Sequence, residues 1–211
     1  MEREAVCGID EAGRGPLAGP VFAGAVILPP DFPVGALNDS KKLSATRRFA
    51  LEALIRREAC WGLGSVGHAE IDRINILQAS LLAMQYAFAD MAARIASGSA
   101  PRGGFLGGAR NVRCYVVVDG LFCPDLGEGV AECGATAAFC EARVKADASC
   151  PEVMAASILA KCARDRLMAH YGALYPAYGY ERHKGYPTKA HREACKRLGP
   201  SPIQRLTFAL H

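Results

Sequence analysis

Apolar residues in this chain come in short β-branched runs near the N-terminus and in longer, spaced series further on. Residues 4–10 and 20–28 are dense in Val, Ile and Ala and border a glycine-rich turn, which predicts two strands. Ser44 can cap a helix running to about Ala59, with Phe49, Leu51, Leu54 and Ile55 as its apolar positions. A third strand is predicted over 61–68, weakened by three glycines, and a long helix over 74–97. Tyr115 to Val118 is a buried-type strand that ends in Asp119-Gly120, and 121–142 reads as loop. Pro151 opens a helix to about His170, and a last helix is predicted over 188–198. Strands first, then strands alternating with helices, imply an α/β fold with a mixed sheet.

Composition narrows the class. The 211 residues fit one domain spanning 1–211, and 51% hydrophobic content is enough for a full core. The Gly-, Ser- and Arg-rich stretch 98–111 reads as a flexible loop inside that domain. The apolar stretch Ile76 to Ala93 is broken by Gln78, Ser80, Gln85 and Asp90, so no membrane span is expected. Glu2, Arg3 and Glu4 precede no apolar segment of the secretory kind. Nine cysteines form no Cys-x-x-Cys pair, which argues against a zinc ribbon and for reduced, mostly buried thiols in a cytoplasmic protein.

Charge is uneven. Residues 161–211 carry ten Lys/Arg against three Asp/Glu, whereas residues 1–160 carry fifteen against eighteen. A basic C-terminal portion beside an acidic one suits a polyanionic substrate with cations, although charge alone more often marks a solvated helix surface.

The chemistry-bearing positions cluster at strand ends. Residues 8–21 read GIDEAGRGPLAGPV, two adjacent acids followed by a turn with glycines and an arginine. That is a layout for holding a metal, a phosphate or both. Asp119 and Asp147 also stand at strand or loop ends. Singly, such acids are turn formers or caps; gathered together, Asp10, Glu11, Asp119 and Asp147 would need cations, and oxygen ligands fit Mg²⁺ or Mn²⁺. The spacing Gly-x-Gly-x-x-x-Gly from Gly13 to Gly19 matches neither a dinucleotide fingerprint nor a P-loop, which disfavours a nucleotide-cofactor enzyme.

The first motif resembles the opening motif of the type 2 ribonucleases H, most of all the bacterial ribonuclease HII group. Further similar segments follow in order: NDSKKLS at 38–44, EIDRINILQASLLAM at 70–84, VVVDG at 116–120, VKADA at 144–148, AASILAKCARDR at 155–166 and HKGYPTKAH at 183–191. The resemblance implies a ribonuclease H-like mixed five-stranded sheet flanked by helices, with a helical C-terminal portion and the first and fourth strands adjacent. It implies that Asp10, Glu11, Asp119 and Asp147 are the catalytic metal ligands for Mn²⁺ or Mg²⁺. Gly13, Arg14 and Gly15 would recognise a 2′-hydroxyl, and Tyr186 would pack on the sugar beside the cut. The implied reaction is endonucleolytic hydrolysis 5′ to a ribonucleotide, in an RNA/DNA hybrid or embedded in duplex DNA, leaving 3′-hydroxyl and 5′-phosphate ends. The alternative is a non-catalytic hybrid-binding protein of the same fold. The protein is expected to act as a monomer.

Phosphate contacts are expected from at least one of Lys41 and Lys42, Lys42 first, and a basic track from Lys184, Lys189, His191 and Arg192. Asp125, Glu128, Glu132 and Glu141 are rejected as metal ligands because none stands in a KADA-like context. Ala146 stands where the family usually has glycine, a restriction if that position needs positive φ. Gln204 stands where the resembled family often has a basic or histidine residue.

Overall fold

The computed structural model describes residues 3–37, 44–99, 106, 109, 111–127 and 134–209. Lys41, Lys42, Glu128, Glu132 and most of 98–111 lie outside the described residues. Strands β1 (Arg3–Ala12), β2 (Val21–Ile27), β3 (Cys60–Val66), β4 (Asn111–Asp119) and β5 (Gly134–Arg143) form one sheet in the order β3-β2-β1-β4-β5. β1 pairs antiparallel with β2 and parallel with β4, β2 pairs antiparallel with β3, and β4 pairs parallel with β5. The sheet is therefore mixed and five-stranded, as expected.

Helices cover both faces. α1 (Ala45–Glu58), capped by Ser44, packs with α3 (Pro151–Leu174) on one side. α2 (His68–Ala96) covers the other and supplies much of the largest core cluster, including Met84, Phe88, Met91 and Ile95. Short α4 (Tyr180–His183) and α5 (Lys189–Leu198) complete the helical C-terminal portion. No helix among the described residues is long and apolar enough to cross a membrane.

The largest departures from expectation are at two elements. The segment expected as loop over 121–142 holds all but the last residue of β5, an edge strand whose sequence GATAAFCEAR is alanine-rich and mostly part-exposed. Its strand form rests on parallel pairing with β4 and on packing against α2 rather than on propensity. The helix expected from 74 begins at His68 and kinks at Asn75, where φ is 70°. The Asn75 side chain accepts the amides of Leu77 at 3.0 Å and Gln78 at 3.1 Å, an internal cap that restarts the helix.

Close approach of α3 to the sheet depends on Gly8 and Gly24. A Cβ on Gly8 would lie 2.6 Å from the Glu152 carbonyl oxygen, and one on Gly24 would lie 2.6 Å from that of Ala156. Gly24 pairs directly with Asp10 across β1 and β2. The two glycines thus let α3 settle against the stretch of β1 that ends in Asp10.

Candidate metal and nucleic-acid site

β1 and β4 run side by side with Ile9 opposite Val118, so Asp10 and Asp119 are the next residues on neighbouring parallel strands. Val117, two residues before Asp119, packs with Val153 of α3, which places that side of β4 under the helix. The third acid arrives on a short 3-10 turn, Ala146–Ala148, that leads into α3. Asp119 accepts the backbone N–H of Ala146 at 2.8 Å, tying that turn to the end of β4. Carboxylate oxygens of Asp10, Asp119 and Asp147 all lie within 4.8 Å of one another.

The positive φ that could have conflicted with Ala146 falls instead on Lys145, at 59°. The Ala146 methyl is fully buried with Val117, Cys150 and Val153, so it packs without strain.

Electrostatics at the site oppose ionisation. Burial, then the neighbouring Glu11 and Asp119 charges, hold Asp10 well above the usual aspartate range, against lowering hydrogen bonds from Ser157 and the Glu11 amide. That amide donates to Asp10 Oδ1 at 2.7 Å. Glu11 is also raised by burial, an effect that Arg14 offsets. Glu11 stands outside the close group of three. Its Oε1 is 3.2 Å from the Arg14 guanidinium, and its Oε2 is buried with no hydrogen-bond partner among the described residues. An all-oxygen, partly unsatisfied carboxylate donor set fits a hard divalent cation.

The glycine turn beside the acids is held from beneath by two buried arginines. Arg205 donates to the carbonyls of Gly13 at 2.7 Å, Arg14 at 2.9 Å and Gly19 at 2.8 Å. Arg164 donates to the carbonyls of Ala18, Pro20 and Lys184 at 3.0–3.1 Å. Burial and the neighbouring Arg164 push Arg205 down to about 9, which leaves it charged at neutral pH. Gly13 has φ +102°, and a Cβ there would lie 2.5 Å from Arg164 Cδ. Neither arginine is marked as a site residue by its local sequence. Arg164 lies inside the AASILAKCARDR segment, but its target carbonyls are 20 to 146 residues distant and carry no local signal.

The segment carrying Tyr186 docks on the same turn. Leu17 N–H donates to the Gly185 carbonyl at 2.8 Å, and a Cβ on Gly15 would lie 3.9 Å from the Tyr186 ring. Tyr186 is 39% exposed, with Lys161 Nζ 5.7 Å and Arg164 5.8 Å from its ring. His191, expected in the basic track, is fully buried. It donates from Nδ1 to the Tyr186 carbonyl at 3.0 Å and stacks on His183 at 4.5 Å. Burial lowers its pKa, so it braces the Tyr186 loop as a neutral ring. Gln204 is buried too and accepts from the Cys195 thiol at 3.6 Å. Of the rejected acids, Glu141 pairs with Arg143, and Asp125 caps Gly127 at 3.0 Å.

Residues 7–98 and 115–211 match the family model described as ribonuclease HII. The chain belongs to the ribonuclease HII family. It is 47% identical over 205 residues to the ribonuclease HII of Treponema denticola, covering 96% of this chain and 97% of that protein. It is 47% identical over 204 residues to the ribonuclease HII of Dechloromonas aromatica, covering 96% and 90%. The crystal structure of ribonuclease H2 from Pyrococcus horikoshii OT3 is similar at a TM-score of 0.63 and 27% identity, over 97% of this chain and 94% of that one. Ribonuclease HII membership makes the protein an endoribonuclease and a metal-dependent nuclease, and the group of three acids supplies a site suited to the metal.

Proposed function

We propose that the protein hydrolyses the phosphodiester bond 5′ to a ribonucleotide, in RNA/DNA hybrid or in duplex DNA with an embedded ribonucleotide, leaving 3′-hydroxyl and 5′-phosphate ends. The observation that carries this reading is the convergence of Asp10, Asp119 and Asp147 within 4.8 Å, beside the Gly13–Gly15 turn. Asp10, Asp119 and Asp147, with Glu11 alongside, would hold Mg²⁺ or Mn²⁺. Two such ions supply an activated water and charge stabilisation at the leaving oxygen.

The chain's own groups select the sugar. Every described peptide bond is trans, so in each the N–H points opposite the C=O. Arg205 binds the carbonyls of Gly13 and Arg14. The N–H groups of Arg14 and Gly15, in those same peptide planes, therefore point away from the guanidinium. Two adjacent donors turned away from the buried arginine suit a ribose 2′-hydroxyl oxygen, the group that separates RNA from DNA. Tyr186 offers a flat face to the neighbouring sugar. The protein would work as a monomer in the cytoplasm; the eight described cysteines are all free thiols, which fits a reducing compartment. Mapping product ends on a duplex with one ribonucleotide tests the reading. Cuts 5′ to the ribonucleotide, abolished in Asp10→Asn while binding persists, are expected; a fully active Asp10→Asn enzyme would refute the metal site.

A further inference from the structure

The segment that follows Asp119 turns back along the edge strand β5. At its start, the Gly120 N–H donates to the Arg143 carbonyl at 3.3 Å. Three residues on, the Cys123 thiol is in hydrogen-bond contact with the thiol of Cys140, three residues back along β5 from Arg143. The far end of the segment is anchored as well. Leu126 is buried in the core cluster that α2 supplies, and Cys140 packs against that same cluster. Contacts on both sides of Cys123 therefore set the two thiols together.

Among the eight described cysteines six are buried, Cys140 is half-buried and Cys123 is exposed. Cys123 also borders an open cavity of about 470 Å³ against Ile74, Leu81 and Leu82 of α2, which gives a small molecule access to it. Two reduced thiols in contact, one of them open to solvent, are arranged for one to capture an oxidant and the other to resolve it. Burial, then the contact with Cys123, pushes Cys140 up to about 12, so Cys123 is the thiol that reacts first. Contact offsets the small thiolate fraction of Cys140 in the second step.

We propose that Cys123 and Cys140 form a reversible modification site, a dithiol that a low-molecular-weight disulfide converts to an intramolecular disulfide. The Cys123 thiolate attacks one sulfur of R–S–S–R, forming a mixed disulfide and releasing one RS⁻. The Cys140 thiolate then attacks Cys123 Sγ, the mixed bond breaks and the second RS⁻ leaves. The two thiols lose two electrons, one R–S–S–R gains them, and the two thiol protons end on two R–SH. The new bond staples the segment after Asp119 to β5. The site is independent of the nuclease reading, and a transient, redox-sensing bond is the kind that a reducing compartment permits.

The test incubates wild type, Cys123→Ser and Cys140→Ala with glutathione disulfide, alkylates the remaining thiols and maps linked peptides by mass spectrometry without reduction. Wild type should yield a Cys123–Cys140 linkage that dithiothreitol reverses. Cys140→Ala should stop at a glutathione adduct on Cys123, and Cys123→Ser should leave Cys140 reduced over the time in which wild type is oxidised. Oxidised wild type should melt roughly 5 °C or more above the reduced protein, because the bond closes a ring of chain in the unfolded state. The wild-type map decides the pairing even where a variant fails to fold. Cys133, which lies outside the described residues, is the competing partner. A Cys123–Cys133 linkage, a wild type that stops at the glutathione adduct, or an oxidised form that melts no higher than the reduced one would overturn the proposal.

Discussion

The carboxylate of Asp119 accepts the backbone N–H of Ala146 at 2.8 Å, so the end of one strand holds the turn that carries Asp147. Asp119 therefore has a structural task as well as a place in the acid group. Two substitutions separate them. Asp119→Asn keeps an oxygen acceptor for Ala146 and should melt near wild type while losing cleavage. Asp119→Ala leaves a part-buried amide unpaired and should lose about 1–3 kcal/mol as well as activity. Thermal melting beside a cleavage assay checks both.

The acid group should weaken the metal-free protein at neutral pH. Burial and the charges of Glu11 and Asp119 raise the Asp10 carboxyl in the folded state. A carboxyl raised on folding contributes stability that is fully present below its unfolded pKa and lost as pH rises through its folded pKa. Asp10→Asn removes that loss. In EDTA at pH 7 it should melt higher than wild type by roughly 2–4 °C, the shift that about 1 kcal/mol gives in a chain of this size. Mn²⁺ should raise the wild-type melting temperature and move the variant much less. A variant that melts below wild type in EDTA would contradict the electrostatic account.

Gly13 and Gly15 should fail differently. A methyl at Gly13 meets a φ of +102° and the Arg164 side chain, so Gly13→Ala should lower stability by about 2 kcal/mol or more together with activity. Only Tyr186, at 3.9 Å, faces a methyl at Gly15. Gly15→Ala should keep its melting temperature and lose preference for ribonucleotide over deoxynucleotide. Equal losses of stability in both would show that Gly15 acts through folding alone.

Arg205 holds three carbonyls of the glycine turn and has no carboxylate hydrogen-bond partner among the described residues. Arg205→Ala should cost about 3–5 kcal/mol, and Arg205→Lys should rescue little because one ammonium cannot span three acceptors. Denaturant unfolding of the two variants measures this.

Much of this was legible in the sequence because it is local. The β-branched runs before Asp10 and Asp119 announce strands that end in acids, and Ser44 and Pro151 announce helix starts. β5 was not legible, since Gly134–Arg143 is alanine-rich and becomes a strand only through its neighbour β4. His191 looked like a surface cation because Lys189 and Arg192 flank it; its burial depends on Tyr180 and His183 closing over it. The bracing roles of Arg164 and Arg205 are wholly tertiary. Likewise Ser157, Lys161 and Arg48 border the site only because Gly8 and Gly24 admit α3 to the sheet.

The most direct test of the central claim uses two duplexes that differ by one oxygen, one carrying a single ribonucleotide and the other its deoxy counterpart. With Mg²⁺ or Mn²⁺, wild type should cut only the first, at the bond 5′ to the ribonucleotide, and EDTA should stop it. Cleavage of both duplexes alike, or cleavage that persists in EDTA, would contradict a metal site coupled to a 2′-hydroxyl sensor.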